Sequence, residues 1–192
     1  MEYLTVGTSD IKRDLFVPIK DGIELSIKPT GGIWLTIHDS KYDNYNPWVD
    51  YLVNNPDVLF FKSRGHDLWN QPCSIVTLNK DSNIYTLDNA NDYEYLINNY
   101  PLGNDKFSYE LMSHNYDGIY VDVLKMLHDI KYENQFKMIR QFCVSSLVLF
   151  NVDCIDYYNS GCVSITPFDL EYYVYECPMY KISSEKVKKK VR

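Results

Sequence analysis

Glycine and proline are both scarce, eight of each in 192 residues, and the glycines do not gather into a phosphate-cradling loop. Neither GxxxxGK followed by Ser or Thr nor GxGxxG occurs, and the one adjacent pair is Gly31-Gly32. The P-loop and the dinucleotide fingerprint are thereby excluded, because both need glycine where backbone amides meet a phosphate. A nucleophile elbow of the GxSxG kind is also missing. Cysteine is sparse: Cys73, Cys143, Cys154, Cys162 and Cys177 are odd in number and never spaced as CxxC. That usage suits reduced thiols acting as small hydrophobes. Four histidines (His38, His66, His114, His128) stand far apart without HxxxH spacing, so a zinc site is not expected. Apolar runs are short, Leu147-Val148-Leu149-Phe150 being among the longest, well below the roughly 20 residues that cross a bilayer. The opening Met1-Glu2-Tyr3-Leu4-Thr5-Val6 carries neither a basic region nor a long apolar stretch. A signal peptide is therefore not expected, no membrane association is expected, and the expected location is cytoplasmic.

Positive charge is in deficit as well. Lys and Arg number 19 against 26 Asp and Glu, a net charge of −7, which argues against general nucleic-acid binding because that needs a basic footprint. One basic run, from Glu185 to Arg192, reads as a frayed, solvated tail. What is plentiful is tyrosine, 18 residues, more than a core of this size needs, so some rings belong to the surface, where the hydroxyl stays wet. The length suits one domain, residues 1–182, followed by a basic, flexible tail, residues 183–192.

Strand signals, short β-branched and aromatic runs bounded by Gly, Asn, Asp or Pro, fall at Tyr3 to Val6, Ile33 to Ile37, Ser74 to Leu78 and Ile84 to Leu87. Further signals fall at Ile119 to Val123, Ser146 to Phe150, Val163 to Ile165 and Tyr172 to Tyr175. Helices are expected from Asn46-Pro47 to about Asn54, with Asn as cap and Pro first in the helix, and from an Asn91 cap to about Asn99. A third helix is expected over about Lys106 to Asn115, with Phe107, Leu111 and His114 on one face. Between Val123 and Phe142, Leu124, Leu127 and Ile130 keep helical spacing until Tyr132-Glu133-Asn134 interrupts it. The order lacks regular βαβ alternation and favours an α+β domain with antiparallel pairing and short helices.

Four segments carry the functional information: Leu4-Thr5-Val6-Gly7-Thr8-Ser9; Gly31-Gly32-Ile33-Trp34-Leu35-Thr36 with Trp48 and Tyr51 after it; Tyr116-Asp117-Gly118-Ile119-Tyr120-Val121; and Ser145-Ser146-Leu147-Val148-Leu149-Phe150-Asn151. Each has a plain account as strand or turn. As an ordered set they resemble small, phage- and bacteria-encoded ADP-ribosyltransferase-like proteins. Those carry a first strand ending in Gly-Thr or Gly-Ser, a GGLW-type strand with a Trp-bearing helix behind it, a YDGI-type strand and a late strand like ESTLWFN. The resemblance spans about Tyr3 to Ile155. It implies split, mostly antiparallel sheets, NAD as substrate, and a nicotinamide pocket built from Gly7, Thr8, Trp34, Thr36, Trp48 and Tyr51. An aromatic face suits a flat cationic ring, and glycine lets a ligand approach the main chain.

The sequence departs from that pattern at its charged positions. Where the family often has His or Arg on the first strand, this chain has Val6; where it has the glutamate that steadies the ribose as nicotinamide leaves, this chain has Ser145, or Val144 with a one-residue slip. Glu171 and Glu176 are the alternative acids for the catalytic role. The implied function is transfer of ADP-ribose to a protein target, or to nucleic acid, which the charge disfavours, or NAD binding by an inactive relative. Two rivals stand beside it: a phage-type interaction or inhibitor protein acting through its acidic, Tyr-rich surface, and a hydrolase assembled from dispersed Cys and His.

Overall fold

The structure, a computed structural model, describes residues 1–22, 29–39, 46–54, 70–129, 139, 142–165 and 180–191. Ten strands are described: β1 (Glu2–Val6), β2 (Ile33–His38), β3 (Asn70–Leu78), β4 (Ile84–Leu87), β5 (Pro101–Gly103), β6 (Lys106–Phe107), β7 (Gly118–Val121), β8 (Ser146–Leu149), β9 (Ile155–Ile165) and β10 (Tyr180–Ser184). The described α-helices are α1 (Pro47–Asn54), α2 (Ala90–Asn99), α3 (Tyr109–Met112) and α4 (Val123–Asp129). None of them is long and apolar enough to cross a membrane. Eight strands form one sheet in the order β10-β9-β3-β1-β2-β8-β7-β4, and β5 and β6 make a separate hairpin. Among the described strands only β4 and β7 pair in parallel; every other described pairing is antiparallel. The fold is thus mixed α/β with a large, mostly antiparallel sheet and few short helices.

The main apolar cluster lies between the β8-β7-β4 part of the sheet and the helices. Leu87, Ile119, Val121 and Val148 supply the strand side; Tyr93, Leu96, Met112 and Met126 supply the helix side. Burying such side chains contributes roughly 1.5–3 kcal/mol each, which outweighs the weak intrinsic stability of helices this short. The caps are local and legible in chemical terms. Asn89 accepts from the amides of Asn91 and Asp92, so it, and not Asn91, caps α2. Ser108 caps α3 through the Leu111 amide.

Several expectations need correction. The helix expected from Lys106 starts after Ser108, because Asn104 (φ 51°) and Asp105 (φ 54°) turn the chain into a β5–β6 hairpin. A two-residue turn with both φ positive is the hairpin type that matches strand twist. Phe107 is buried but Leu111 and His114 are exposed, so they share no apolar face. Val123, expected at a strand end, opens α4. The strand expected at Val163 begins at Ile155, and β3 begins at Asn70, so the two make the longest pairing in the sheet. The eight strands join in one order whose two parts meet at β2, with β1 on the second half of that strand and β8 on its first. The last residues, expected to fray, run back along β9, with Lys189 and Tyr158 exchanging backbone hydrogen bonds of 2.8 and 2.9 Å. The strand expected at Tyr172 to Tyr175 and the interruption at Tyr132-Glu133-Asn134 lie outside the described residues.

Candidate functional site

The parting of the sheet follows from how β2 divides its partners. Its first half pairs with β8, Ile33 opposite Leu149 and Leu35 opposite Leu147. Its second half pairs with β1, Thr36 opposite Leu4 and His38 opposite Glu2. Beyond Leu4, β1 leaves β2; Thr5 and Val6 pair with β3 alone. A gap opens between those two residues and Ile33-Trp34, and a cavity of about 440 Å³ occupies it.

Of the six residues expected in a nicotinamide pocket, Thr8, Trp34, Thr36 and Trp48 line this cavity. Trp34 and Thr36 share one face of β2, as a strand's period of two requires. The Trp34 indole is half-buried, tilted against Phe142 with ring centroids 5.5 Å apart, and its Nε1 donates to Gly31 O at 3.3 Å. Trp48 is half-buried too, and stacks on Tyr51 at 5.7 Å and 12°. Both indoles therefore border an opening instead of being sealed in the core.

Gly7 and Tyr51 do not line the cavity. The Gly7 amide is engaged by Pro72 O at 2.7 Å, so that donor is not available to a carboxamide. Tyr51 stands behind Trp48, its phenol held above the ordinary range first by hydrogen bonding with Cys143 and then by burial. The Thr36 hydroxyl is also occupied: Asn46 Nδ2 donates to it at 2.9 Å and to Ile37 O at 3.1 Å. It ties β2 to the start of α1.

The late strand differs from expectation. Ser145, at the place of the family's glutamate, turns to α4, where its Oγ accepts from the Val123 amide at 3.0 Å. Its neighbour Ser146 lines the cavity instead, with Oγ donating to Val144 O at 2.8 Å. Neither bears charge, and among the described residues that line the cavity none is Asp or Glu. Glu171 and Glu176 lie outside the described residues. Sequence reasoning missed Phe142 and Cys143 in the wall. The signal was faint: an aromatic next to a thiol just before a strand marks nothing on its own.

Compared with protein-family models, with curated proteins and with solved structures, the chain matches none.

A second trough of about 490 Å³ lies on the far side of Trp34 and shares Thr8, Gly32, Ile33 and Trp34 with the first. Lys12, Phe16 and Val17 complete part of its wall. The Gly31-Gly32 turn shapes this boundary. Gly31 has φ 76°, and a Cβ there would sit 2.3 Å from Pro18 O. A larger, open groove of about 1150 Å³ lies elsewhere, between β9, β10 and residues 185–190.

Proposed function

We propose that the chain is an ADP-ribosyltransferase-like protein that binds NAD at the parting of its sheet. The observation that carries this reading is the pair of half-buried indoles, Trp34 and Trp48, flanking a cavity between two splayed strands. A pyridinium ring gains from aromatic faces through stacking and cation–π attraction, worth about 0.5–2 kcal/mol as the ring is desolvated. The cavity's volume, near 440 Å³, lies within the range typical of small-molecule sites, roughly 300–1,000 Å³. Its walls are apolar with a few hydroxyls, which suits an orienting pocket. The trough past Trp34 gives room for the other half of a dinucleotide, and Lys12, 3.6 Å from Asp10, provides a cation for its phosphates.

Transfer of ADP-ribose needs a carboxylate near the ribose as positive charge develops there. The described wall provides aromatic, hydroxyl and thiol groups. These groups support the binding half of the reading, and the protein acceptor named by the resemblance belongs to the transfer step.

Isothermal titration of the whole chain with NAD tests the reading, run beside chromatographic assay of nicotinamide release. Binding that weakens at least tenfold in Trp34→Leu supports it; no heat at millimolar NAD sinks it. Binding without nicotinamide release identifies an NAD-binding relative with no transfer activity.

A further inference from the structure

We propose that Lys189 is a positioning residue that fixes, from the far end of the chain, the turn after β1 that walls the candidate cavity. The inference rests on reading that cavity as a ligand site. Past β10 the chain keeps to the same edge of β9: the Glu185 amide donates to Ser160 O at 2.7 Å, and Lys189 and Tyr158 exchange backbone bonds. Tyr158 and Ser160 are two residues apart on a strand and so present side chains to one face. Both reach the turn after β1. Tyr158 Oη donates to Asp10 Oδ1 at 2.5 Å, and Ser160 Oγ donates to Ser9 O. From β3, Ser74 Oγ donates to Thr8 O at 3.0 Å. Besides the contacts within the turn, from Lys12 to Asp10 and between Thr8 Oγ1 and the Asp10 main chain, three consecutive residues each accept one hydrogen bond from a side chain of β3 or β9, and the first of them, Thr8, lines the cavity.

Lys189 completes the arrangement. Its Nζ donates to Ser160 Oγ at 2.6 Å, and it lies 3.2 Å from the Glu185 carboxylate. A hydroxyl has one proton, and this one is committed to Ser9 O. The ammonium fills an acceptor position on the same oxygen, so the hydroxyl proton keeps its aim at the turn. The pair is not a nucleophile with its base: the lysine is the donor, and the serine proton points away from it. Without Lys189, the Ser160 hydroxyl is free to rotate, the turn loses one of its three bonds from β3 and β9, and Thr8 shifts at the cavity edge.

Hydrogen exchange on the full chain tests this without any ligand. In Lys189→Ala, amides over Gly7 to Ile11 are expected to exchange about tenfold faster, while α2 exchanges as in the wild type. Lys189→Arg, which keeps a charged donor, is expected to restore protection, and Lys186→Ala to leave it unchanged. Equal exchange over Gly7 to Ile11 in wild type and Lys189→Ala overturns the proposal, as does failure of the arginine variant to rescue. If Lys189→Ala loses protection in α2 as well, Ser160→Ala decides: local acceleration supports the proposal, and wild-type exchange overturns it. Titration of the same variants with NAD separates the two readings. No binding by the wild type removes the functional reading, and the exchange data still decide how the turn is held.

Discussion

Asn46 holds Thr36 and the start of α1 at once: its Nδ2 donates to Thr36 Oγ1 at 2.9 Å while its Oδ1 accepts from the Trp48 and Val49 amides at 3.1 and 3.2 Å. The residue is fully buried, so none of these groups has water as an alternative partner. Through it, the strand that carries Trp34 and the helix that carries Trp48 are set at a fixed spacing, and the cavity inherits that spacing.

Asn46→Ala is therefore expected to destabilise the fold by about 2–3 kcal/mol, the sum of a lost helix cap and a buried hydroxyl left without its donor. Asn46→Asp keeps the cap acceptor but removes the Nδ2 donor, and should fall between alanine and wild type. Urea unfolding followed by circular dichroism measures both. A loss under about 0.5 kcal/mol for alanine would mean that the pairing contributes nothing net.

The two glycines that flank the cavity region should respond differently to a methyl group. Gly7 (φ 103°) has open space where a Cβ would go, so Gly7→Ala meets only backbone strain of about 1–2 kcal/mol. Gly31 (φ 76°) carries a similar strain, and its Cβ would collide with Pro18 O at 2.3 Å. Gly31→Ala is expected to lose several kcal/mol, enough to unfold a marginal domain. Melting temperatures of the purified pair decide it; equal losses would show that the Pro18 segment simply moves aside.

Much of the sheet was legible because its central strands obey local rules. Ile33-Trp34-Leu35 and Leu147-Val148-Leu149 are β-branched or bulky runs between turn residues, and both are strands in register with each other. The Asn46-Pro47 start of α1 was legible for the same reason, since cap chemistry is local. What escaped was non-local. Asn159-Ser160-Gly161 lies before the strand expected at Val163, yet it is extended because β3 pairs with all three residues and β10 with Gly161. Asp21 accepts from the Tyr109 amide at 2.6 Å across 88 positions of sequence, a contact no window can see. The Asn104-Asp105 hairpin was a missed local signal, masked by the apolar spacing after it. Within the site, residue types pointed to Trp34 and Trp48, but which serine of the late strand faces the cavity depended on the α4 amide that Ser145 serves.

The contact between Asp10 and Tyr158 predicts a pH dependence. The Asp10 carboxyl is held below the ordinary range, chiefly by the Tyr158 hydroxyl, with help from Lys12 and Lys189 against partial desolvation. A folded-state value below the unfolded one means stability present above about pH 3.9 and lost as pH falls through the folded value. The melting-temperature difference between wild type and Tyr158→Phe should accordingly be constant near neutrality and shrink on acidification below about pH 4. A difference unchanged down to about pH 2 would show that the hydroxyl does not depend on an ionised Asp10.

Thiol labelling offers a direct test of where NAD sits. Cys73 and Cys154 are buried, and burial pushes their thiols up to about 12. At pH 8 the reactive thiolate is then on the order of one part in ten thousand at each, and iodoacetamide should leave both unmodified until the protein unfolds. Cys143 is exposed and lies in the cavity wall beside Phe142, so among the described cysteines it is expected to react first. A carboxamidomethyl group there would project into the space between Trp34 and Trp48. Two results follow together: saturating NAD should slow Cys143 labelling several-fold, and protein already labelled at Cys143 should bind NAD more weakly. Peptide mass spectrometry reads the first, and calorimetry reads the second. Were Cys143 to label at the same rate with and without saturating NAD, a dinucleotide bound elsewhere would be the only explanation of any heat observed, and the indole-lined gap in the sheet would not be its site.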